Sequence, residues 1–450
     1  MHPPLTIIEA SAAMRAGTLT PLELVGECLE RIGRLEPAVS AWVSVDAEGA
    51  LQAAEGLSDE LAARKCRGPL HGIPMAIKDI FDVAGMPTRA GSTITDARPV
   101  AEDAPIVALL RRAGAIILGK TVTTEFASFD PPPTKNPWNA ACTPGGSSSG
   151  SAAATALGMC TAAIGSQTGG SITRPASYCG VAGIKPTFGR VSRRGVVPLA
   201  FHLDHIGPMA RTIADCAILL HTIAGPDARD PASSMRPNFE LPQEWDRPAQ
   251  ARPPRLGVIR KYFLETADPE TAALTEAALA KLQAAGATLV ELPLPEYFDP
   301  VRAMHRRIMA GEAADYHRAT YGAPRAGYSR QVAALLDEGF AITSAEYQEA
   351  LRHQLAFRNA MERTLSEVDA AVIPSTVSPA PADLTTTGDP RFNSPWSHAG
   401  IPTASIPCSL SRSGLPVSLQ LLGRAWTEGP LIQTAVWCEG KLGFAAVPPS

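Results

Sequence analysis

The sequence predicts an α/β protein in which a largely parallel or mixed sheet is covered by helices on both faces. Short apolar runs of strand length alternate along the chain with longer segments of helical periodicity. The strand-like runs are apolar almost throughout, which is the pattern of strands that are buried on both faces. Apolar residues make up 45% of the 450 residues, which is ample for a large hydrophobic core.

The predicted elements follow this alternation. The first helix begins at Pro21, because Thr20 can cap it and Glu23 completes a capping box. The later elements, in chain order, are strands at 41–45 and 72–80, a helix at 103–113, a strand at 115–120, a helix at 149–158, strands at 160–165 and 255–259, a helix at 268–285, a strand at 287–292, a helix at 344–368 and a strand at 370–374.

A proline-rich stretch at about 225–255 interrupts the alternation and predicts a connection that runs over the surface. Such a stretch is either a loop within the fold or a boundary between domains. The α/β pattern resumes after it, and we expect residues 1–450 to form a single domain.

The composition argues against several classes of partner. The formal net charge is −4 and charged residues make up 19% of the chain, which indicates neither a nucleic-acid-binding nor a polybasic membrane surface. The N-terminal segment lacks a secretory-signal pattern, and the small-apolar run 152–165 is shorter than the ~20 residues that span a bilayer. We therefore expect a cytoplasmic protein that acts on small molecules, and we leave a homodimer open as its assembly.

The cysteines do not indicate a metal site. All eight are spread singly, without a C-x-x-C pair or a Cys/His cluster at zinc-ligand spacing. We therefore expect buried, reduced thiols and neither a metal nor an organic cofactor.

Two glycine-serine loops stand out: "TPGGSSSGSAAA" at 143–154 and "GSQTGGSITRPASYCG" at 165–180. The first is not a phosphate-binding loop, since Ser151 and Ala152 stand where a Walker A motif requires lysine and a hydroxyl residue. Ser171 in the second loop does not fit the G-x-S-x-G pattern of α/β-hydrolases. On spacing alone a Gly-Gly-Ser sequence is most often a turn.

Three further features favour a catalytic site. Gly169 and Gly170 let the backbone approach a ligand closely and present successive N–H groups as an oxyanion hole. The other loop places Ser147 after its own glycine pair, and Lys78 is an isolated amine within an apolar strand.

Together these segments resemble the amidase signature family, the Ser-cisSer-Lys hydrolases. The resemblance covers most of the chain and is carried by "HGIPMAIKDIFDVAGMPTRAGS", "GGSSSGSAAA", "GSQTGGSITRPASYCGVAGIKPTFGRVSRRGVVP", "LDHIGPMARTIADCA" and "NSPWSHAGIPTASIPCSLSRSGLPVSLQLLG". It implies the amidase signature fold, in which a mixed central sheet is covered by helices on both faces. It also implies amide-bond hydrolysis without a metal or organic cofactor.

Carried over by motif, Ser171 is the nucleophile, Ser147 is the bridging serine after a cis peptide bond at Gly146, and Lys78 is the base. To accept a proton Lys78 must be neutral, so its pKa must fall from about 10.4 toward about 7 to 8, which burial can supply. We expect the N–H groups of Thr168, Gly169, Gly170 and Ser171 to hold the oxyanion. Asp79 should not oppose this, because neighbours on a strand point to opposite faces.

The nucleophile loop departs from the usual family motif at two positions. Gln167 stands where the family commonly has aspartate, and Thr173 where it commonly has arginine, so both charges of an ion pair are missing. Arg174, three residues after Ser171, resembles the malonamidase-like branch, in which this arginine grips a substrate carboxylate. The alternative is that Arg174 pairs with a protein carboxylate or packs under the loop.

Histidines and aromatic residues give weaker signals. His202, His205 and His71 are interpreted as structural.

Contact with the substrate and packing in the core fit six aromatic residues equally well, namely Phe126, Phe129, Trp138, Tyr297, Phe298 and Tyr328.

The resemblance therefore predicts an amidase that hydrolyses the C–N bond of non-peptide amides through a serine acyl-enzyme. Esters and carbamates (urethanes) are admitted as substrates, because the chemistry needs only a carbonyl with a departing nitrogen or oxygen. One alternative is the glutamine-hydrolysing A-type subunit of a tRNA-dependent amidotransferase, which resembles the same family and passes ammonia to a partner. A second is a non-catalytic binding protein on the same scaffold.

Overall fold

A computed structural model describes residues 4–241, 252–322 and 327–449. Their eleven strands form one sheet in the order β1-β3-β2-β4-β6-β5-β10-β11-β9-β7-β8. In chain order the strands are β1 Trp42–Val45, β2 Pro74–Lys78, β3 Ile116–Thr121, β4 Ala162–Gln167, β5 Ala182–Lys185, β6 His205–Ala210, β7 Arg255–Val258, β8 Thr288–Glu291, β9 Ala370–Pro374, β10 Thr403–Leu410 and β11 Pro416–Leu422. The continuous sheet supports our proposal that residues 1–450 form one domain.

Thirteen α-helices of the described residues accompany the sheet. They are α1 Ile7–Ala16, α2 Pro21–Val39, α3 Ala47–Ala62, α4 Pro105–Arg112, α5 Ser149–Ala156, α6 Thr173–Cys179, α7 Ile213–Ile223, α8 Pro269–Ala284, α9 Val301–Tyr321, α10 Arg330–Ala341, α11 Ser344–Thr364, α12 Ser394–Ala399 and α13 Glu428–Leu442. Two short 3₁₀ helices lie at Glu125–Ala127 and Pro390–Phe392. None of the helices within the described ranges combines the length and the apolar character that crossing a membrane requires.

The sheet is mixed and buried on both faces, which confirms the predicted fold class. Strand β2 pairs in parallel with β3 and with β4, whereas β4 pairs antiparallel with β6. Met75 and Ile77 of β2 pack into one hydrophobic cluster, while Ala76 between them packs into another on the opposite face. Helices therefore cover both faces of this part of the sheet.

The predicted elements are confirmed, with small shifts at their ends, but the helix that begins at Pro21 is the second one, because α1 precedes it. Thr20 and Glu23 form the expected capping box on α2. The helix expected at 344–368 ends at Thr364, because the chain turns there before β9. Of the predicted connection at 225–255, residues 225–241 carry no helix or strand, and residues 242–251 lie outside the described residues.

Candidate active site

The ends of two parallel strands bring the predicted base beside the nucleophile loop. Lys78 is the last residue of β2, and Gln167 is the last residue of β4. Ile77 is paired with Ile164 in the parallel ladder, so the carboxyl ends of both strands meet at one edge of the sheet. The loop 168–172 leaves β4 at this edge and leads into α6.

The Lys78 amine is enclosed by hydroxyl groups. Its side chain is 0% exposed, and Nζ lies 2.6 Å from Ser147 Oγ and 2.8 Å from Ser166 Oγ. Burial lowers the pKa of Lys78 to about 7, while the negative charge of Asp204 acts in the opposite direction. Lys78 is therefore buried as expected, and this burial shifts its pKa in the expected direction, while its role as the base stays a prediction.

Asp79 pairs with another amine instead of with that of Lys78. Its carboxylate Oδ1 lies 2.9 Å from Nζ of Lys120, and both side chains are fully buried. The strand alternation thus directs Asp79 toward another cation, as expected.

Ser147 reaches Lys78 from the other loop. The peptide bond between Gly146 and Ser147 is cis, as the resemblance implied, and Ser147 is fully buried two residues before α5. This loop packs tightly on β4, since a side-chain carbon at Gly165 would stand 2.8 Å from Ser148 Oγ. Only glycine fits at that point of contact.

Ser171 opens onto a pocket. The pocket is lined by Thr168, Gly169, Gly170, Ser171 and Arg174 of the nucleophile loop and its helix. Within the described residues no hydrogen bond joins the hydroxyls of Ser147 and Ser171, so transfer between these two serines stays a prediction. The structure thus places Lys78 next to Ser147, and Ser171 at the wall of the pocket.

The missing ion pair of the nucleophile loop is replaced by neutral hydrogen bonds. Gln167 Oε1 accepts from the backbone N–H groups of Ile172 (2.9 Å) and Thr173 (3.0 Å) and from the Thr173 hydroxyl (3.1 Å). Gln167 Nε2 donates to Ser397 Oγ at 3.1 Å. Glutamine at this position therefore ties β4 both to the start of α6 and to α12.

Arg174 is buried and bound to neutral oxygen atoms. Its Nε donates to Thr387 O (2.7 Å), and one Nη donates to Gly146 O (2.8 Å). The other atom, Nη1, is buried without a hydrogen-bond partner, and burial lowers the pKa of the guanidinium. Within the described residues the hydrogen bonds of Arg174 go to carbonyl and hydroxyl oxygens, so of the stated alternatives packing under the loop is observed and pairing with a protein carboxylate is not.

The histidines interpreted as structural have backbone or carboxylate partners. His205 Nδ1 lies 2.6 Å from Leu203 O, and His71 Nε2 lies 2.9 Å from Leu57 O. His202 pairs with Glu312, which raises the pKa of the imidazole. None of these contacts involves a serine of the two loops.

Of the six aromatic candidates, Phe129 lines the Ser171 pocket. Tyr328 lines a separate cavity. The others lie in the core or at the surface: Phe126 and Phe298 are buried in hydrophobic clusters, Trp138 packs against Phe444, and Tyr297 is half exposed.

Three contacts of the site were missed in the sequence. Ser166 is the second hydroxyl on Lys78, His305 Nε2 lies 2.9 Å from Thr168 O, and Ser397 Oγ donates to Gly169 O at 2.9 Å. Ser166 had a signal, because it lies in the nucleophile segment on a strand next to Lys78. His305 had none, since it is 137 positions from Thr168. Ser397 lies in the segment that begins at Asn393 and carries the resemblance, but no local pattern links it to Gly169, which is 228 positions away.

The described residues contain no group of three or more His, Cys, Asp or Glu side chains that is arranged to hold a metal ion. The polar groups at this edge of the sheet are instead an amine, hydroxyls and backbone N–H groups. Such a set can take a proton from a serine and stabilise negative charge on a carbonyl oxygen.

The protein-family model described as Amidase matches residues 23–432. Curated relatives include the A-type subunit of the glutamyl-tRNA(Gln) amidotransferase of Myxococcus xanthus, 37% identical, with 98% of each chain covered. The protein of the same description from Anaeromyxobacter dehalogenans is 36% identical, and the match covers 99% of this chain and 98% of that protein.

Solved structures resemble the whole chain. The peptide amidase from Stenotrophomonas maltophilia superposes with a TM-score of 0.87 at 31% identity, covering 99% of this chain and 98% of the amidase. The A-type subunit of the glutamyl-tRNA(Gln) amidotransferase from Thermotoga maritima has a TM-score of 0.80 at 31% identity, covering 96% and 94%. A chain from a vestigial complex described in relation to an s-triazine catabolic enzyme has a TM-score of 0.90 at 28% identity, covering 99% and 100%.

Proposed function

Because this chain belongs to the amidase signature family, whose enzymes cleave C–N bonds, we propose that it hydrolyses carboxamides through an acyl-enzyme on Ser171. The observation that carries the proposal is the Lys78 amine, which is fully buried 2.6 Å from Ser147 Oγ. An amine whose pKa is about 7 is neutral in a large fraction of molecules at physiological pH, so it can act as a base.

The proposed reaction has two matched halves. Ser171 Oγ attacks the substrate carbonyl carbon while its proton passes to Ser147, whose own proton passes to Lys78. The carbonyl oxygen becomes an oxyanion, held by the N–H groups of Thr168 to Ser171. Collapse breaks the C–N bond as the proton returns through Ser147 to the departing amine, and water then repeats the attack and releases the acid.

The curated relatives support glutamine as the amide donor. Several of them are described as the A-type subunit of glutamyl-tRNA(Gln) amidotransferase, and they match this chain over nearly its whole length. This favours the glutamine-hydrolysing subunit over the free-standing non-peptide amidase that the nucleophile loop indicated. In that function the chain would pass ammonia to a partner protein.

A free-standing amidase is a second candidate, and one observation of the site favours it. The neutral contact of Gln167 with Thr173 replaces the aspartate and arginine that are common in the family, and Arg174 lies in the pocket instead. The substrates expected for this second candidate function are non-peptide amides, together with esters and carbamates. A similar solved chain is described as a peptide amidase, which widens the range of amides to be tested.

An assay of the purified chain distinguishes the two candidates. Glutamine, aliphatic amides, anilides, carbamates and esters are offered to the chain alone and to any stable complex that it forms. Glutaminase activity that depends on a second protein favours the amidotransferase function, whereas rapid turnover of small amides by the isolated chain favours the free-standing amidase. If no amide, ester or carbamate is cleaved under either condition, the proposal is wrong.

The rate should depend on pH through Lys78. We expect kcat/KM to rise with pH and to level off above an inflection near 7, because burial lowers the pKa of Lys78 to about 7 and only the neutral amine accepts a proton. Below the inflection the rate should fall about tenfold per pH unit. Initial rates with an uncharged amide test this, with thermal unfolding at each pH as the control, and a flat profile would contradict it.

Arg174 should matter most for anionic substrates. We propose that its unpartnered Nη1 atom meets a substrate carboxylate, although its Nε and other Nη are already bound to carbonyl oxygens. Arg174→Ala should then raise KM by about 10- to 100-fold for the monoamide of a short dicarboxylic acid, and much less for an uncharged analogue. The exposed Arg412→Ala serves as the control, and an equal change in KM for both substrates would reject the contact.

Two further predictions concern the cellular location and the oligomeric state of the protein. All eight cysteines are free thiols, which supports a cytoplasmic location. A homodimer stays a prediction that light scattering of the purified chain can test.

A further inference from the structure

We propose that His305 and Ser397 are positioning residues, which aim the N–H groups of the nucleophile loop at the reacting carbonyl. This inference rests on the proposed function, because it concerns how the same site would stabilise an oxyanion. Neither residue belongs to the loop: His305 lies on α9 and Ser397 on α12.

Three consecutive carbonyl groups of the loop accept hydrogen bonds from groups outside the loop residues 168–172, and one of these groups, His305, also lines the Ser171 pocket. His305 Nε2 lies 2.9 Å from Thr168 O, and Ser397 Oγ donates to Gly169 O at 2.9 Å. The next carbonyl, Gly170 O, accepts from the backbone N–H of Arg174 at 2.9 Å. Because a carbonyl oxygen only accepts, Nε2 of His305 must carry the proton.

Each fixed carbonyl orients the following N–H group. In a trans peptide the C=O and N–H bonds point in opposite directions, and these peptide bonds are trans. The N–H groups of Gly169, Gly170 and Ser171 are therefore directed away from His305, Ser397 and the turn of α6. Within the described part of the chain none of these three N–H groups donates a hydrogen bond, and all three residues line the pocket.

Such external support matters because two of the three residues are glycines. A Gly-Gly pair has wide backbone freedom, whereas an oxyanion hole must be arranged before the charge develops. His305 and Ser397 are both buried, so their contacts with the loop are shielded from water. Burial also lowers the pKa of His305 to about 4, which keeps a single proton on the ring at neutral pH.

Gln167 sets the direction of the Ser397 hydrogen bond. Its Nε2 donates to Ser397 Oγ, which leaves the hydroxyl proton of Ser397 for Gly169 O. The Gln167 amide cannot flip without losing hydrogen bonds, because its Oε1 accepts three of them from Ile172 and Thr173. A carboxylate at position 167 has no proton to donate and would compete with Gly169 O for the Ser397 proton.

The experiment measures inactivation by a fluorophosphonate, which needs no knowledge of the substrate. Ser171 Oγ displaces fluoride from phosphorus, and the phosphonyl oxygen takes the place of the oxyanion. The variants are Ser397→Ala and His305→Phe, which remove the donors, and Ser397→Thr and His305→Gln, which keep one. Matched controls are Ser418→Ala, a buried hydroxyl without a partner, and His71→Phe, a buried imidazole on the carbonyl of Leu57.

We expect Ser397→Ala and His305→Phe to lower the inactivation rate constant roughly 10- to 100-fold with little change in KI. Ser397→Thr and His305→Gln should recover much of this loss, and both controls should react like the wild type.

A rate constant within about twofold of the wild type in a folded Ser397→Ala variant, or a loss confined to KI, overturns the inference. If His305→Phe does not fold, the inactivation rate constant of Ser397→Ala alone tests the inference. If the wild type itself is not labelled on Ser171, the proposed function fails, and this inference fails with it.

Discussion

Replacing Ser171 with alanine is expected to lower kcat by roughly 10⁴-fold or more and to abolish the covalent acyl-enzyme. Ser171 lines the pocket, and within the described residues the N–H groups of Gly169, Gly170 and Ser171 donate no hydrogen bond. Without its oxygen no bond to the acyl group forms, and water would have to attack the amide directly. Intact-mass spectrometry after reaction with a slow ester or a fluorophosphonate should show an adduct on the wild type and none on Ser171→Ala.

Ser128→Ala is the matched control for this variant. Ser128 lines the same pocket, and its hydroxyl is buried without a partner. Its removal should leave kcat within about tenfold of the wild type. Turnover by Ser171→Ala at a rate near that of the wild type would mean that another group is the nucleophile.

Lys78→Met should also be nearly inactive, with a fall in kcat of about 10³-fold or more. The methionine side chain fills a similar volume but offers no base to Ser147, so the proton of Ser171 has no acceptor. The variant should fold, because it removes a buried polar group instead of adding one. Lys281→Met is the control, because Lys281 is exposed on α8 and does not line the Ser171 pocket.

Stability measurements separate this prediction from simple misfolding. Burial lowers the folded-state pKa of Lys78 to about 7, below its usual value, so the unfolded chain binds the extra proton between pH 7 and about 10.5. In that window the contribution of Lys78 to the free energy of unfolding rises with pH. Below pH 7 the full cost of burying the charged amine lowers the stability of the folded chain. Lys78→Met should thus be most stabilised relative to the wild type below pH 7, and equal stability at every pH would contradict a perturbed Lys78.

Much of the fold was predictable because its signals are local. The capping box at Thr20, the apolar strand that ends at Lys78 and the helical periodicity of 344–364 each lie within one segment. Strands β5 and β6 were harder, since "AGIK" and "HIGPMA" contain glycine, proline and charged or polar residues. Their place in the sheet follows from pairing with β4 and β10, which no local pattern encodes.

The sequence by itself determined the family, the α/β alternation and the three residues proposed for catalysis, because Lys78, Ser147 and Ser171 each lie within a continuous motif. Only the tertiary structure decided what surrounds them. It placed Ser166 on the Lys78 amine and bound Arg174 to carbonyl oxygens.

The supports of the nucleophile loop come from still farther along the chain, where α9 and α12 bring His305 and Ser397 to it. The physical reason is separation along the chain, because a motif contains only residues that are close to one another in sequence. The pKa of a buried amine and the direction of a peptide N–H group depend instead on atoms that only folding brings within about 3 Å.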